Sequence, residues 1–156
     1  MYRNDPVLLL IEARNEPRRS GIDLECSVSN PRVAIVGATG AVGRIALQIL
    51  EERGFAMDAL RLTASPRSVG KTMTYRGQEI TIEATTAELL AACDIAFVSA
   101  NDEISQEIGL LGPQQGCVVI DDSGVWRMDP SVPLVVPEIN ADDVDGHKGV
   151  LAIPNC

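Results

Sequence analysis

The side chains able to do chemistry gather in a few short stretches of this 156-residue chain. Its last six residues, "LAIPNC", carry an apolar run through Pro154 and Asn155 to Cys156, a thiol. A thiol attacks only as its thiolate, so its surroundings decide whether it reacts. Farther back, Gly37, Gly40 and Gly43 in "GATGAVG" directly follow the apolar run "RVAIV". Gly37 can make a tight turn, Gly40 can let the backbone approach a pyrophosphate, and Gly43 can let helix and sheet come close. The N–H groups from Thr39 to Val42 would then face an anion, with a helix dipole behind them. The spacing is G-x-x-G-x-x-G instead of G-x-G-x-x-G, and a glycine turn needed only for packing is the competing reading.

A second stretch chooses between nucleotides. An NAD site places an Asp or Glu about 20 residues beyond the glycine turn, at the end of the next strand. Here "LRLTA" is followed by Ser65, Pro66, Arg67 and Ser68, then Gly70 and Lys71. Hydroxyls beside a cation suit a 2'-phosphate, which favours NADP, against solvated loop charges as the alternative. Arg127 lies in "DDSGVWRMDP", a polar loop after a strand. Its planar guanidinium suits a carboxylate or phosphate, and a salt bridge to a neighbouring aspartate is the plainer reading. Trp126 beside it reads as packing. His147, the only histidine, sits in "DGHKG" and reads as solvent-facing. The acidic residues Asp142, Asp143 and Asp145 lack calcium-loop spacing, and no metal site is expected.

These stretches need a scaffold. "RVAIV" (Arg32 to Val36) reads as a buried strand, and Val42, Ile45, Ala46, Ile49 and Leu50 form the apolar stripe of a following helix. Arg44, Gln48, Glu51 and Glu52 fall on its other side, and Gly54 suits its C-terminal cap. "LRLTA" (Leu60 to Ala64) is the next strand, and "TMTYRGQEITIEA" reads as a hairpin turning at Gly77. Thr85 and Glu88 have capping-box spacing ahead of a short helix. "DIAFVS" and "CVVID" are further strands, with Ile104, Ile108 and Leu111 marking a helical stripe between them. "PLVVPEIN", an acidic turn from Ala141 to Gly146 and a last strand, "GVLAI", complete the chain. Apolar strands alternating with helices predict an α/β, Rossmann-like, doubly wound fold, a mostly parallel sheet with helices on both faces. The domain is expected over residues 32–156, with residues 1–31 as an extension that carries at most a short strand at Val7 to Ile11.

Bulk composition narrows the partners. A formal charge of −9 and a 3% aromatic share leave no concentrated basic or stacking surface, which argues against nucleic acid and acidic membranes. A small phosphorylated ligand needs only one or two aimed cations. Cys26, Cys93, Cys117 and Cys156 are too far apart for a redox pair or zinc knuckle and suit a reducing cytoplasm. The run "VLLLI" at Val7 to Ile11 is too short to span a membrane and carries no cleavage pattern, so a cytoplasmic location is expected.

With these motifs in order, the chain from Arg32 to Cys156 resembles the aspartate-semialdehyde dehydrogenases, whose N-terminal half is an NADP-binding domain. "VAIVGATGAVG" looks like their nucleotide turn, "ASPRSVGK" their adenosine-phosphate loop, "WRMDPSVPLVVPEIN" their substrate-anion loop and "IPNC" their nucleophile site. The resemblance implies that Gly37, Ala38, Thr39, Gly40, Ala41 and Val42 hold the pyrophosphate, and that Ser65, Arg67 and Ser68 lie near the 2'-phosphate. It makes Arg127 the binder of phosphate or substrate anion, Cys156 the nucleophile and Asn155 its positioning residue. The implied reaction joins L-aspartate 4-semialdehyde, phosphate and NADP to give 4-phospho-L-aspartate and NADPH. A cysteine thiolate attacks the aldehyde, hydride leaves to NADP, and phosphate cleaves the thioester. Biosynthesis of lysine, threonine and methionine runs it in reverse, and the family implies at least a homodimer. The related N-acetyl-glutamyl-phosphate reductases, a non-catalytic nucleotide-binding remnant and an interaction protein are the alternatives.

Asn101 and Asp102 stand where the family has a glycine pair, and Asp122 and Gly124 interrupt its Asp-Asn-Ser-Ser run. Asp102 and Asp122 are expected to place negative charge near an anionic ligand. A family histidine and a second domain supply the acid or base, the substrate contacts and most of the dimer interface. The 156 residues are therefore expected to be a fragment that binds NADP without turning over.

Overall fold

Strand β1 (Arg32–Val36) buries every residue after Arg32, as a strand covered on both faces must. The computed structural model describes residues 30–154, so residues 1–29 of the expected extension over residues 1–31, including its strand at Val7 to Ile11, lie outside the described residues, as do Asn155 and Cys156. After β1 come α1 (Ala41–Glu52), β2 (Ala59–Thr63), a 3-10 turn (Pro66–Ser68), β3 (Thr72–Tyr75), β4 (Gln78–Glu83) and α2 (Ala87–Ala91). The order continues with β5 (Ile95–Val98), α3 (Asp102–Gln114), β6 (Val118–Asp121), α4 (Pro137–Asn140), a 3-10 stretch (Ala141–Gly146) and β7 (Val150–Ala152).

The seven strands form one sheet in the order β3-β4-β2-β1-β5-β6-β7. Every pairing is parallel except β3 with β4. That exception is the expected hairpin: Arg76 and Gly77 take φ of 48° and 75°, the left-handed pair of a two-residue turn. Register aligns Val36 with Thr63 and Val98, and Asp121 with Val98 and Ala152. The carboxyl ends of five strands thus form one edge, where doubly wound sheets bind ligands.

Alternate residues of each strand feed two cores. Val33, Ile35, Phe97, Ile120 and Leu151 pack with Leu47 and Leu50 of α1 on one face. Ala34, Val36, Val98 and Val119 pack with Leu90 of α2 and Ile108 of α3 on the other. The fold is the doubly wound α/β arrangement read from the sequence. Among the described residues, no helix is long and apolar enough to cross a membrane.

Two local expectations need correction. Helix α1 buries Gly43, Leu47 and Leu50, whereas Val42 and Ile45 of the expected stripe are 45% and 54% exposed. The cap of α2 is Thr86, whose hydroxyl accepts the Leu89 N–H at 3.2 Å. Thr85 instead meets Thr63, hydroxyl to hydroxyl at 2.8 Å, so it ties two strand ends together.

Candidate functional site

The turn after β1 is fixed by close backbone approach. Gly37 has φ of 85°, and a Cβ there would lie 1.9 Å from the Ser99 carbonyl oxygen where the chain leaves β5. Only glycine meets both demands. The N–H groups of Gly37 and Ala38 donate to the Thr63 carbonyl at 2.9 and 3.0 Å, which anchors the turn to the end of β2. A Cβ on Gly43 would stand 2.3 Å from the Gly37 carbonyl oxygen, so this glycine seats α1 on the turn. Gly40 caps α1 with extended backbone and no side-chain bond. The Arg44 N–H bond to the Gly40 carbonyl, 3.1 Å, is the first rung of the helix. The N–H groups of Ala41, Val42 and Gly43 precede that ladder at the positive end of the helix.

A cleft of about 810 Å³ opens at this edge. Gly37, Thr39 and Gly40 form its floor, and Ser65, Pro66 and Val69 form a wall beyond β2. Ala84 and Thr85 border it after β4; Ser99, Ala100 and Asn101, then Ile104, Glu107 and Ile108 of α3, close it on the β5 side. Of the sequence-derived cofactor residues, Gly37, Thr39, Gly40 and Ser65 therefore line the cleft. Ala38 is buried behind the turn, while Ala41 and Val42 are exposed at the start of α1 and do not line it. Arg67 and Ser68 sit in the 3-10 turn next to Ser65, outside the lining. Arg67 is exposed and has no hydrogen-bond or ion-pair partner among the described residues. Val69, Thr85, Ile104 and Glu107 were missed by sequence reasoning, because periodicity does not say which residues of separate elements meet in a cleft.

Asn101 and Asp102 have a local physical role. The Asn101 side chain accepts the Ile104 N–H at 3.1 Å and caps α3, while Asp102 and Glu103 occupy its first turn. Both arrangements stabilise a helix start.

Arg127 does not pair with a neighbouring aspartate side chain in a salt bridge among the described residues. Its Nε donates to the Ile153 carbonyl at 2.9 Å, and Nη2 donates to the Asp122 carbonyl. The guanidinium thus joins the exits of β6 and β7, and the Ile153 N–H bond to the Asp121 carbonyl, 2.9 Å, reinforces the junction. Asp129 engages Ser131 instead: its Oδ1 accepts the N–H at 2.8 Å and the hydroxyl at 2.7 Å. Those bonds hold the Asp129 carboxyl below the ordinary range. Trp126 packs on Gly109, where a Cβ would be 2.5 Å from the ring, and its indole N–H donates to the Ser105 carbonyl at 3.2 Å.

Asp121, at the end of β6, is fully buried. Its Oδ1 accepts the Ser123 N–H at 2.9 Å and the Ser123 hydroxyl, whereas Oδ2 is buried without a partner among the described residues. Burial pushes the carboxyl of the next residue, Asp122, above the ordinary range; nearby Asp121 adds to the rise, and a Ser99 hydrogen bond and Arg127 oppose it. His147 is half-buried instead of solvent-facing, and its Nδ1 accepts the Gly149 N–H at 3.0 Å. Among the described residues, no group of three or more His, Cys, Asp or Glu side chains could hold a metal ion.

Comparison with known proteins agrees with this geometry. Residues 32–147 match the family described as semialdehyde dehydrogenase, NAD binding domain. Among curated relatives, the aspartate-semialdehyde dehydrogenase of Aquifex aeolicus is 52% identical over 128 residues, covering 80% of this chain and 38% of the relative. That of Bacillus subtilis is 45% identical over 124 residues, covering 80% and 36%. The chain thus spans well under half the length of the curated relatives it matches. A crystal structure of aspartate semialdehyde dehydrogenase II complexed with ASA, from Vibrio cholerae, superposes with a TM-score of 0.75 at 39% identity, covering 82% of this chain and 43% of that one. The glycine turn, the edge cleft and these likenesses together place the chain in the semialdehyde dehydrogenase family, with aspartate-semialdehyde dehydrogenases as its relatives and a dinucleotide-binding domain over residues 32–147.

Proposed function

We propose that the chain is the nucleotide-binding part of an NADP-dependent aspartate-semialdehyde dehydrogenase of amino-acid biosynthesis. Its small-molecule partners are L-aspartate 4-semialdehyde and inorganic phosphate. The observation that carries this reading is the cleft at the carboxyl ends of β1, β2 and β5, set between the start of α1 and the loop from Ser65 to Ser68. The residues fit NADP. No acid follows β2, the Arg67 guanidinium is exposed and unpartnered among the described residues, and two serine hydroxyls flank it.

In this reading Thr39 to Val42 hold the pyrophosphate through the backbone N–H groups of Thr39, Ala41 and Val42, since the Gly40 N–H donates to the Gly37 carbonyl at 2.9 Å; Gly37 and Ala38 back the turn, and Ser65, Arg67 and Ser68 hold the 2'-phosphate. NADP, when bound, supplies the hydride acceptor. Arg127 binds the phosphate or substrate anion with the donors its two carbonyl bonds leave over. Its bond to the Ile153 carbonyl also fixes the exit of β7. Cys156 is the nucleophile and Asn155 its positioning residue. The identity to Aquifex aeolicus and Bacillus subtilis relatives supports this assignment, and the V. cholerae structure complexed with ASA supports a small-molecule substrate. The same family reading gives a cytoplasmic location and, for full-length relatives, at least a homodimer.

Calorimetric titration of NADP and NAD tests the nucleotide assignment. Arg67→Ala should weaken NADP roughly tenfold or more, the effect of one charge-assisted phosphate contact, and leave NAD nearly unchanged. Equal weakening of both would sink the NADP assignment. Phosphate-dependent NADPH formation from the semialdehyde, abolished in Cys156→Ala, would establish the catalytic role and overturn the expectation that the 156 residues bind NADP without turning over.

A further inference from the structure

We propose that Glu107 selects the base of the bound dinucleotide by accepting a hydrogen bond from the 6-amino group of adenine. The proposal rests on the nucleotide reading above. Val69, beyond β2, and Ile104, on α3, are 44% and 38% exposed, and both line the cleft. Apolar side chains left open in one cleft suit the faces of a flat ring. Val69 follows directly on the loop from Ser65 to Ser68, which places this part of the cleft at the adenosine end. Glu107 is three residues, about one turn, beyond Ile104 on α3.

Glu107 is the single charged residue among those lining the cleft. Its carboxylate has no hydrogen-bond or ion-pair partner among the described residues. An acid there repels a ligand that carries phosphates, unless the ligand brings it a donor. An ionised carboxylate only accepts hydrogen bonds. The 6-amino group of adenine is a donor, whereas hypoxanthine presents a carbonyl acceptor at the same place. Glu107 therefore favours adenine twice, by attraction of the amine and repulsion of the carbonyl.

The test is calorimetric titration of the whole chain with NADP and with its hypoxanthine analogue. The wild-type protein should prefer NADP by roughly tenfold or more, the range of one hydrogen bond to a charged group. Glu107→Gln should bring the two affinities to within about threefold, because a carboxamide can also donate to a carbonyl. Glu107→Ala should lose the preference as well, and circular dichroism of both variants confirms that the fold persists. An unchanged preference in both variants, or equal wild-type affinity for the two dinucleotides, overturns the role of Glu107 alone. A wild-type chain that binds neither overturns the nucleotide reading and this proposal with it.

Discussion

On the proposal that Arg127 binds an anion, Asp122 links that binding to pH. Burial raises its pKa above the ordinary carboxylate range, and Asp121 adds to the effect. A native pKa above the unfolded one means that the folded protein holds the proton more tightly between the two values. The stability from this group is complete below the unfolded pKa and is lost as pH rises through the folded one. Asp122→Asn should therefore flatten that part of the stability profile, which urea unfolding at a series of pH values from about 3 upward would show. Once ionised, Asp122 also opposes an anion at Arg127, so the same variant should tighten phosphate binding above the raised pKa. No change in phosphate affinity there would remove Asp122 from the proposed anion site. Sequence reading expects Asp122 to place a charge near an anion, whereas the pairing of Arg127 with two backbone carbonyls depends on how β6 and β7 lie side by side.

At the scale of elements, the phase of α1 is the instructive case. The sequence offers a stripe through Val42, Ile45, Ala46, Ile49 and Leu50, yet Gly43 must face the Gly37 carbonyl, and that contact turns Leu47 inward beside Leu50 and leaves Val42 and Ile45 exposed. Periodicity alone ranks apolar stripes by hydrophobicity and has no knowledge of a backbone contact. Gly43→Ala should accordingly cost about 3 kcal/mol, because the new methyl would meet fixed backbone. Gly54 gives the contrast. It ends α1 with φ of 60°, its N–H donates to Glu51 and the Phe55 N–H donates to Leu50, and a Cβ there would meet nothing within 4 Å. Gly54→Ala should thus cost only about 1 kcal/mol, the strain of a left-handed alanine. Equal losses in denaturant unfolding would show that the turn yields more easily than its geometry implies.

For the whole molecule, the central strand carries stability on both faces. Ile35 lies on β1 between β2 and β5 and is fully buried, so Ile35→Ala should cost about 2–5 kcal/mol through lost burial and a cavity. Ile45, hydrophobic and on the adjacent helix but 54% exposed, should tolerate the same change within about 0.5 kcal/mol. Thermal unfolding of the two variants compares these positions directly, and a larger loss at Ile45 would contradict the helix orientation.

What the sequence determined by itself is what local pattern controls. Continuous apolar runs require strands buried on both faces, their alternation with helices requires parallel crossovers, and a glycine turn between strand and helix requires a close backbone approach. These features specified the doubly wound sheet, the hairpin at Gly77 and the position of the nucleotide turn. Tertiary structure alone decided how separate elements meet. It turned the Gly43 face of α1 inward, used Thr85 to tie strand ends and Thr86 to cap α2, and put Glu107 in the cleft wall. It also engaged Arg127 with the exits of two strands. The reason is physical: helix phase, cleft walls and long-range hydrogen bonds depend on contacts between residues distant in the chain, whereas propensity and periodicity describe only a residue's neighbours along it.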